Sequence, residues 1–242
     1  MPTAHYLMGG LICDPDTRTE LPGLYVAGED AGGAHGSNRL GGNGVANSTV
    51  YGGVAGDIMA GDITSRGDHS LGRLREPNEA AIAAEIARAR QPFERQGGNV
   101  HELRLKLMDL MWDDVGVLRT GKSLNRALQG LTDLRAELAE TGLPSDDMVF
   151  NITWHDWMNL ESLIDMSEVI AGAALWRDNS RGAHYREDFP DQGELETSYF
   201  TVARQDADGK LSVTREPVEF TIVKPGETLL AGEEETLVAA PA

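Results

Sequence analysis

The pattern of apolar and polar positions divides the chain into a glycine-rich first third, a helical middle and a short β-rich end. In the middle, apolar residues recur every three or four positions, which is the spacing of amphipathic helices. Short connections between such helices favour an antiparallel bundle. The pattern predicts four bundle helices, over residues 79–95, 100–117, 124–140 and 159–179.

The pattern in the first third of the chain predicts β-strands rather than helices. Residues 5–13 form an apolar run interrupted by two glycines, and residues 21–29 form a second run that is apolar almost throughout. A continuous apolar run is typical of a strand buried on both faces, as in a parallel sheet covered by helices. We therefore expect two strands ahead of a helix over residues 43–63.

The end of the chain predicts a small antiparallel sheet. Residues 198–204 and 210–214 flank an Asp208-Gly209 pair, which is a strong turn signal for a hairpin. Residues 218–223 would add a third strand. The glutamates and small residues over 233–242 are typical of a disordered acidic tail.

A glycine-crowded loop lies between the second predicted strand and the helix over 43–63. Glycine at the mouth of a helix lets the backbone turn sharply or approach a ligand closely. Asn43 would cap the helix, and Arg39 would offer its guanidinium to a carboxylate or phosphate. The loop lacks the G-x-G-x-x-G spacing and a later ribose-binding acid, so the residues alone leave the anion open. A plain glycine-rich turn with a surface arginine is the alternative.

The composition and charge of the chain limit its size class, its location and the kinds of partner it can bind. The chain has 242 residues, 40% of them hydrophobic, which is enough for one large or two small domains. Its formal net charge of -18 disfavours a nucleic-acid partner. No apolar run approaches the roughly 20 residues of a membrane span, and the first residues lack a signal-peptide pattern, so we expect an intracellular protein. Cys13 is the single cysteine, which excludes an internal disulfide and predicts no metal centre; we interpret it as a small core residue.

Three segments follow one another in a familiar order: HYLMGG at residues 5–10, PGLYVAGE at 22–29 and GGAHGSNRLGGN at 32–43. Together they resemble the C-terminal part of the flavin domain in the succinate dehydrogenase and fumarate reductase flavoprotein family, which includes aspartate oxidase. MWDDVGVLR at 111–119 and SRGAHYREDFP at 180–190 are similar to two further family segments. The resemblance covers residues 1–190.

The resemblance implies an FAD-dependent oxidoreductase that interconverts succinate and fumarate, or a close C4 dicarboxylate, by hydride transfer to or from the flavin. It implies that His5 and Arg39 bind substrate carboxylates and that Glu29 hydrogen-bonds the FAD polyol chain. It assigns no catalytic residue to this chain, because the family's proton-transferring arginine, phosphate-binding turn and capping domain have no counterpart here. The implied cofactor-binding residues are Gly9, Gly10, Glu29, Asn38, Gly42, Asn43, Gly44 and Val45.

The implied fold class is α+β. Residues 1–72 would form the C-terminal segment of an FAD-binding α/β domain, residues 73–190 a helical bundle, and residues 191–242 a β hairpin and acidic tail. We expect the chain by itself to bind FAD weakly and to be inactive. The implied partners are a complementary N-terminal flavin-domain chain and an iron–sulfur electron-transfer subunit, which could attach a cytoplasmic protein peripherally to the membrane.

Four points stay open. The protein could instead be a soluble aspartate oxidase or stand-alone fumarate reductase, or a helical interaction module without catalysis. Residues 44–47 read Gly-Val-Ala-Asn where many members of the family have Ser-Leu-Leu-Asp, which leaves the substrate open. His35 would orient the loop or lie near the flavin. We interpret a further polar set as an ion-paired loop that clamps the helical domain to the flavin domain, with a catalytic cluster as the alternative: Arg181, His184, Arg186 and Asp188.

Overall fold

The computed structural model describes residues 5–64, 76–206 and 208–227. Within these ranges the chain forms five α-helices and one two-stranded antiparallel sheet. The predicted acidic tail over 233–242 lies outside the described residues. The elements are α1 (Asn43–Thr64), α2 (Glu79–Arg90), α3 (Val100–Val115), α4 (Gly121–Glu140), α5 (Ile152–Trp176), β1 (Tyr199–Gln205) and β2 (Leu211–Pro217).

Helices α3, α4 and α5 enclose the main hydrophobic core, as the spacing of their apolar residues predicts. Side chains from α4 and α5 lie at its centre, where Leu124, Leu131, Leu160 and Ile164 are at most 1% exposed. Burying an aliphatic side chain of this size contributes about 1.5–3 kcal/mol. The α+β fold class is confirmed, with the helical bundle as its largest part.

Local polar contacts decide where the bundle helices begin. The side chain of Asn99 accepts a hydrogen bond from the backbone N–H of Glu102 at the start of α3. Asn151 does the same for Trp154 at the start of α5. Helix α5 therefore begins at Ile152 rather than at residue 159, because its first turns are stabilised by a cap that the apolar spacing alone does not reveal.

Helix α2 ends earlier than predicted. It stops at Arg90, and a short 3-10 turn over Gln91–Glu94 replaces its predicted last turn. Pro92 lies in that turn and lacks the backbone N–H that a further α-helical turn would need.

The two predicted N-terminal strands do not form. Isolated bridges join Leu11 to Ala31 and Arg18 to Tyr25 instead. A strand needs a partner along its whole length, and the described residues supply one only at single positions. Cys13 is half-buried rather than in the core; burial, and secondarily the Asp14 carboxylate, raise the pKa of its thiol.

The C-terminal hairpin is confirmed, and the third strand is wrong. Strands β1 and β2 pair antiparallel from Tyr199 opposite Pro217 to Gln205 opposite Leu211. Residues 218–223 form bends and irregular backbone beside them. The hairpin packs closely on α5 at Gly172, where an added Cβ would lie 3.2 Å from Leu211 Cδ2 and would require that side chain to shift slightly.

Helix α1 is packed mainly at its C-terminal end. Its buried residues are Ala55 and Asp62, although much of the helix is small and apolar. The Arg18 guanidinium donates two 2.9 Å hydrogen bonds to the Asp62 carboxylate, and the Tyr25 hydroxyl donates a third at 2.6 Å. These bonds hold the N-terminal loops against the end of α1 and leave its first turns accessible.

Candidate functional site

Two of the family-like segments are joined by their backbones. The Leu11 N–H donates to the Asp30 carbonyl at 2.8 Å, and the Gly32 N–H donates to the Leu11 carbonyl at 2.9 Å. Gly10 permits this approach, because with its φ of +140° a Cβ there would lie 2.2 Å from the Asp30 oxygen. Gly10 thus positions the neighbouring backbone.

The glycine-rich loop leads directly into α1. Gly42 has a φ of +83°, a left-handed conformation that glycine adopts without strain. Asn43 is the first helical residue rather than the predicted cap. The first turn of α1 contains no acidic side chain, so its free amides and the positive end of the helix dipole face the loop without a built-in counter-charge.

A cleft of about 620 Å³ opens at this helix terminus. Its volume lies within the range of about 300–1,000 Å³ that small-molecule sites occupy. The loop, the first two turns of α1 and the N-terminal segment contribute the wall. The lining residues are Tyr6, Glu29, Arg39, Gly42, Gly44, Val45, Ser48 and Thr49.

Arg39 is the cation of the cleft. Its guanidinium donates a 3.0 Å hydrogen bond to the Leu40 carbonyl and lies over the Tyr6 ring, 5.2 Å from the ring centroid. Its Nε is buried without a hydrogen-bond partner in the part of the chain that the structure describes, and the same holds for the Tyr6 hydroxyl. Two buried donors without partners beside an open cleft are typical of a site that a ligand completes.

The cleft gathers some of the predicted residues and not others. Arg39, Glu29, Gly42, Gly44 and Val45 line it. The Glu29 Oε1 atom accepts a 2.8 Å hydrogen bond from the Leu7 N–H, which fixes that carboxylate. The remaining predicted residues lie outside the lining: His5, Gly9, Gly10, Asn38 and Asn43.

Sequence reasoning missed four residues at or behind the cleft. Ser48 and Thr49 lie four residues after Gly44 and Val45, on the same face of the helix, so the i, i+4 spacing could have predicted them. Tyr6 is next to His5 in the first motif, yet the motif does not reveal that its ring packs on Gly44. Asn47 stands out in the sequence only as a departure from the family pattern; its amide nitrogen lies 3.3 Å from the Gly28 carbonyl oxygen and 3.2 Å from His35 Nε2.

The polar segment at 180–190 lies apart from the cleft lining. Arg186 is buried, donates to the Ala174, Leu175 and Arg177 carbonyls at the end of α5, and forms a two-bond ion pair with Asp188. Asp188 in turn accepts a 2.7 Å hydrogen bond from the Gly121 N–H at the start of α4. These bonds connect two helix termini, which is a structural role.

The same segment touches the glycine-rich loop. The Ala183 N–H donates to the Ser37 carbonyl at 2.9 Å. A Cβ on Gly182 would lie 2.4 Å from that oxygen, so the contact requires glycine. The Arg181 guanidinium donates to the Gln192 and Glu194 carbonyls and to the Ser198 hydroxyl, near β1. The contacts agree with the interpretation as a clamp between the helical region and the loop.

His184 is a half-buried titratable group in this segment. Its Nδ1 accepts a 3.0 Å hydrogen bond from Arg119, because a guanidinium can only donate. Burial, and then the charge of Arg119, lower the pKa of His184 to about 4. Burial also lowers the pKa of Arg119, while the Arg186 hydrogen bonds hold the pKa of Asp188 well below its usual range.

Metal-binding and membrane-spanning features are both missing from the described ranges. Among these residues, no cluster of three or more histidine, cysteine, aspartate or glutamate side chains has the geometry to hold a metal ion. Within the same ranges, every helix is too short or too polar to cross a bilayer.

Comparison with known proteins supplies a context for the cleft. Residues 104–229 match the family model described as fumarate reductase flavoprotein C-term, and residues 1–45 match an FAD binding domain model. The chain is 32% identical to a fumarate reductase flavoprotein subunit of Mycobacterium tuberculosis, over 93% of this chain and 39% of that protein. It is 36% identical to L-aspartate oxidase of Yersinia pestis, over 80% of this chain and 33% of that protein.

A solved structure agrees with these relatives. The chain superposes on an E. coli quinol fumarate reductase variant with a TM-score of 0.81 and 30% identity, over 93% of this chain and 38% of that one. The chain thus spans between a third and two fifths of the length of the proteins it is similar to.

Proposed function

Since the chain belongs to the fumarate reductase flavoprotein family, we propose that it forms the C-terminal part of an FAD-dependent enzyme that interconverts fumarate and succinate. One observation carries the proposal: Arg39 lies in the cleft with a buried Nε that lacks a partner within the described residues. In a chain with a net charge of -18, a cation without a carboxylate partner in those residues is well suited to bind an anionic ligand.

The residues of the cleft fit the edge of a flavin. Gly42 and Gly44 present backbone without side chains, and the first amides of α1 point into a region with no acidic side chain from that turn. A helix N-terminus of this kind stabilises negative charge on a neighbouring ring. Val45 is 78% exposed at the same place and offers an apolar contact for a planar group.

Each polar residue then has its own part. FAD, when bound, supplies the group that accepts or donates the hydride. Arg39 binds and orients one carboxylate of the substrate through its fork of donors, and His5, which is exposed at the start of the described chain, binds the other. Glu29, fixed by the Leu7 N–H, accepts a hydrogen bond from a hydroxyl of the FAD polyol chain. The proton-transferring arginine comes from outside this chain.

Helix α1 supports the need for a complementary flavin-domain chain. Val45, Val50 and Ile63 are each at least 60% exposed along it, although a helix this apolar is typically buried on most sides. We infer that a further part of the flavin domain covers these residues. An iron–sulfur subunit is the proposed electron partner, and it would place the protein peripherally at the cytoplasmic membrane.

The proposal is tested by Arg39→Ala in the FAD-loaded flavoprotein that contains this chain. Loss of the guanidinium should lower kcat/KM for fumarate. The decrease should correspond to a loss of about 2–4 kcal/mol of transition-state stabilisation, as for the removal of one oxyanion-hole donor. Arg104→Ala is the matched control, because Arg104 is exposed and pairs at 3.6 Å with Asp156, far along the chain from the loop. Equal turnover in the two variants would remove Arg39 from the site.

Aspartate oxidation is the second candidate function. The 36% identity to an L-aspartate oxidase favours it, and the departure from the family pattern at residues 44–47 leaves the choice of substrate open. An aspartate oxidase would need no iron–sulfur partner. The two functions separate in one assay, because the loaded protein should reduce fumarate with an artificial donor in the first case and release hydrogen peroxide from L-aspartate and oxygen in the second.

A further inference from the structure

Four side chains, two lining the cleft and two behind it, form a continuous row that ends at the proposed dicarboxylate-binding arginine. Asn47 contacts His35, the His35 and Tyr6 rings pack nearly perpendicular to each other, and the Arg39 guanidinium lies over the Tyr6 ring. We call these four residues the Asn47–Arg39 row. Asn47 itself does not line the cleft.

The geometry at Asn47 fixes the orientation of its amide. The side-chain atom 3.3 Å from the Gly28 carbonyl oxygen must be the NH₂ group, because a carbonyl oxygen only accepts hydrogen bonds. The same nitrogen lies 3.2 Å from His35 Nε2. An amide nitrogen has two hydrogens and no acceptor, so one hydrogen goes to each partner. His35 Nε2 must therefore accept, which places the proton of the ring on Nδ1.

The orientation of His35 is passed on through ring packing. The His35 and Tyr6 rings are 5.0 Å apart and nearly perpendicular, at 87°. Such an edge-to-face arrangement places a positive ring edge on a negative ring face and is sensitive to rotation. The Tyr6 hydroxyl has no hydrogen-bond partner within the described residues, so packing contacts hold this ring in place.

Tyr6 is closed in on a further side by α1. A Cβ on Gly44 would lie 3.0 Å from Tyr6 Cε2, which shows that the ring rests directly on the helix backbone. The Arg39 guanidinium lies 5.2 Å from the ring centroid, within the range of a cation–π contact. Arg39 therefore packs on Tyr6, and Tyr6 packs on His35 and on the start of α1.

We propose that Asn47 is a positioning residue of the dicarboxylate site: it holds His35 in the Nδ1–H form, and His35 and Tyr6 together hold Arg39 in place. The assignment of the substrate rests on the proposed function, whereas the form of His35 does not. A carboxylate at position 47 could not donate to Gly28 or to Nε2, so the ring would have to donate from Nε2 instead.

The form of His35 is measured by nitrogen-15 NMR of the imidazole rings in the full chain. In the unsubstituted protein His35 should show a protonated Nδ1 and an unprotonated Nε2. Asn47→Asp should shift the ring to protonated Nε2. Ala46→Asp is the matched control, since it adds the same charge one residue away on an exposed position and should leave His35 unchanged. Asn47→Ser, which keeps a neutral donor, should retain Nε2 as an acceptor.

Two results would overturn the proposal: a protonated Nε2 in the unsubstituted protein, or an unprotonated Nε2 that persists in Asn47→Asp. A kinetic measurement on the FAD-loaded flavoprotein completes the test. Asn47→Asp should raise KM for fumarate roughly tenfold with a smaller change in kcat, because a displaced Arg39 weakens substrate positioning. An unchanged KM would contradict the link from Asn47 to Arg39.

These outcomes separate the two proposals. If Arg39→Ala has no effect on turnover while His35 has the predicted form, the dicarboxylate site is wrong and the form of His35 stands. If Arg39→Ala abolishes turnover while His35 has a protonated Nε2, the dicarboxylate site stands and the positioning role of Asn47 is wrong.

Discussion

At the scale of single residues, the sequence motifs predict several residues that line the cleft, but they do not predict the side-chain contacts that hold those residues in place. Glu29, Arg39 and Gly44 follow from their motifs and lie in the lining. The roles of Tyr6 and Asn47 do not follow from the motifs. The role of Tyr6 depends on the packing of its ring on a helix backbone, and the role of Asn47 depends on the contact of its amide with two acceptors. Neither arrangement has a spacing in the sequence from which it could be predicted.

Gly44→Ala tests the packing at this scale. A Cβ 3.0 Å from Tyr6 Cε2 must displace the ring, and overpacking of this kind costs about 1–3 kcal/mol. Gly53→Ala is the control on the same helix, because no atom lies within 4 Å of its added Cβ. Replacing glycine by alanine inside a helix normally stabilises by about 0.5–1 kcal/mol.

Urea unfolding of the two variants measures the difference. The free energy of unfolding should fall for Gly44→Ala and rise for Gly53→Ala. A rise of similar size in both would show that Tyr6 does not rest on α1.

At the scale of elements, helices are predicted well and strands poorly, for a physical reason. A helix satisfies its own backbone, so the apolar spacing within one segment is enough to predict α3 and α4 nearly to their ends. A strand depends on neighbours that its own sequence does not specify. The apolar runs at 5–13 and 21–29 find only single bridges in the described chain, whereas the hairpin carries its partner and its turn in one segment.

The segment at 180–190 gives a pH prediction at this scale. The folded protein lowers the pKa of His184 from 6.5 to about 4, so between these values the unfolded chain binds more protons than the folded one. The contribution of His184 to stability is fully present above pH 6.5 and is lost as the pH falls toward 4. We therefore expect the free energy of unfolding to decrease across this window.

His184→Gln should make that decrease smaller, because glutamine does not titrate. His101→Gln is the control, since His101 is an exposed histidine on α3. Chemical unfolding at a series of pH values from about 7 to about 4 gives the slopes. Identical slopes for His184→Gln and the unsubstituted protein would contradict a neutral, half-buried His184.

At the scale of the whole molecule, the order of the sequence motifs is enough to predict the family. The structure of this chain alone does not show how far the site extends beyond its one wall. The helical region has its own core, whereas α1 keeps apolar residues such as Val45 and Val50 exposed. The cleft has one wall in this chain, built by the loop and α1. The division into units at residues 72 and 190 stays a prediction.

This incomplete wall leads to a prediction for the isolated chain. Without a phosphate-binding G-x-G-x-x-G segment, it should bind FAD weakly and be purified without stoichiometric flavin absorbance in the visible range. Adding the complementary flavin-domain chain should restore bound flavin. A yellow protein with one flavin per isolated chain would show that these residues suffice.

The central claim is that the loop around Arg39 supplies the carboxylate-binding half of a flavin site. A crystal structure of the FAD-loaded flavoprotein with bound fumarate tests it most directly. We predict that a fumarate carboxylate lies within about 2.7–3.2 Å of the Arg39 guanidinium, beside a flavin whose edge meets the first turn of α1. A fumarate bound away from Arg39, with the cleft filled by protein side chains, would contradict the account.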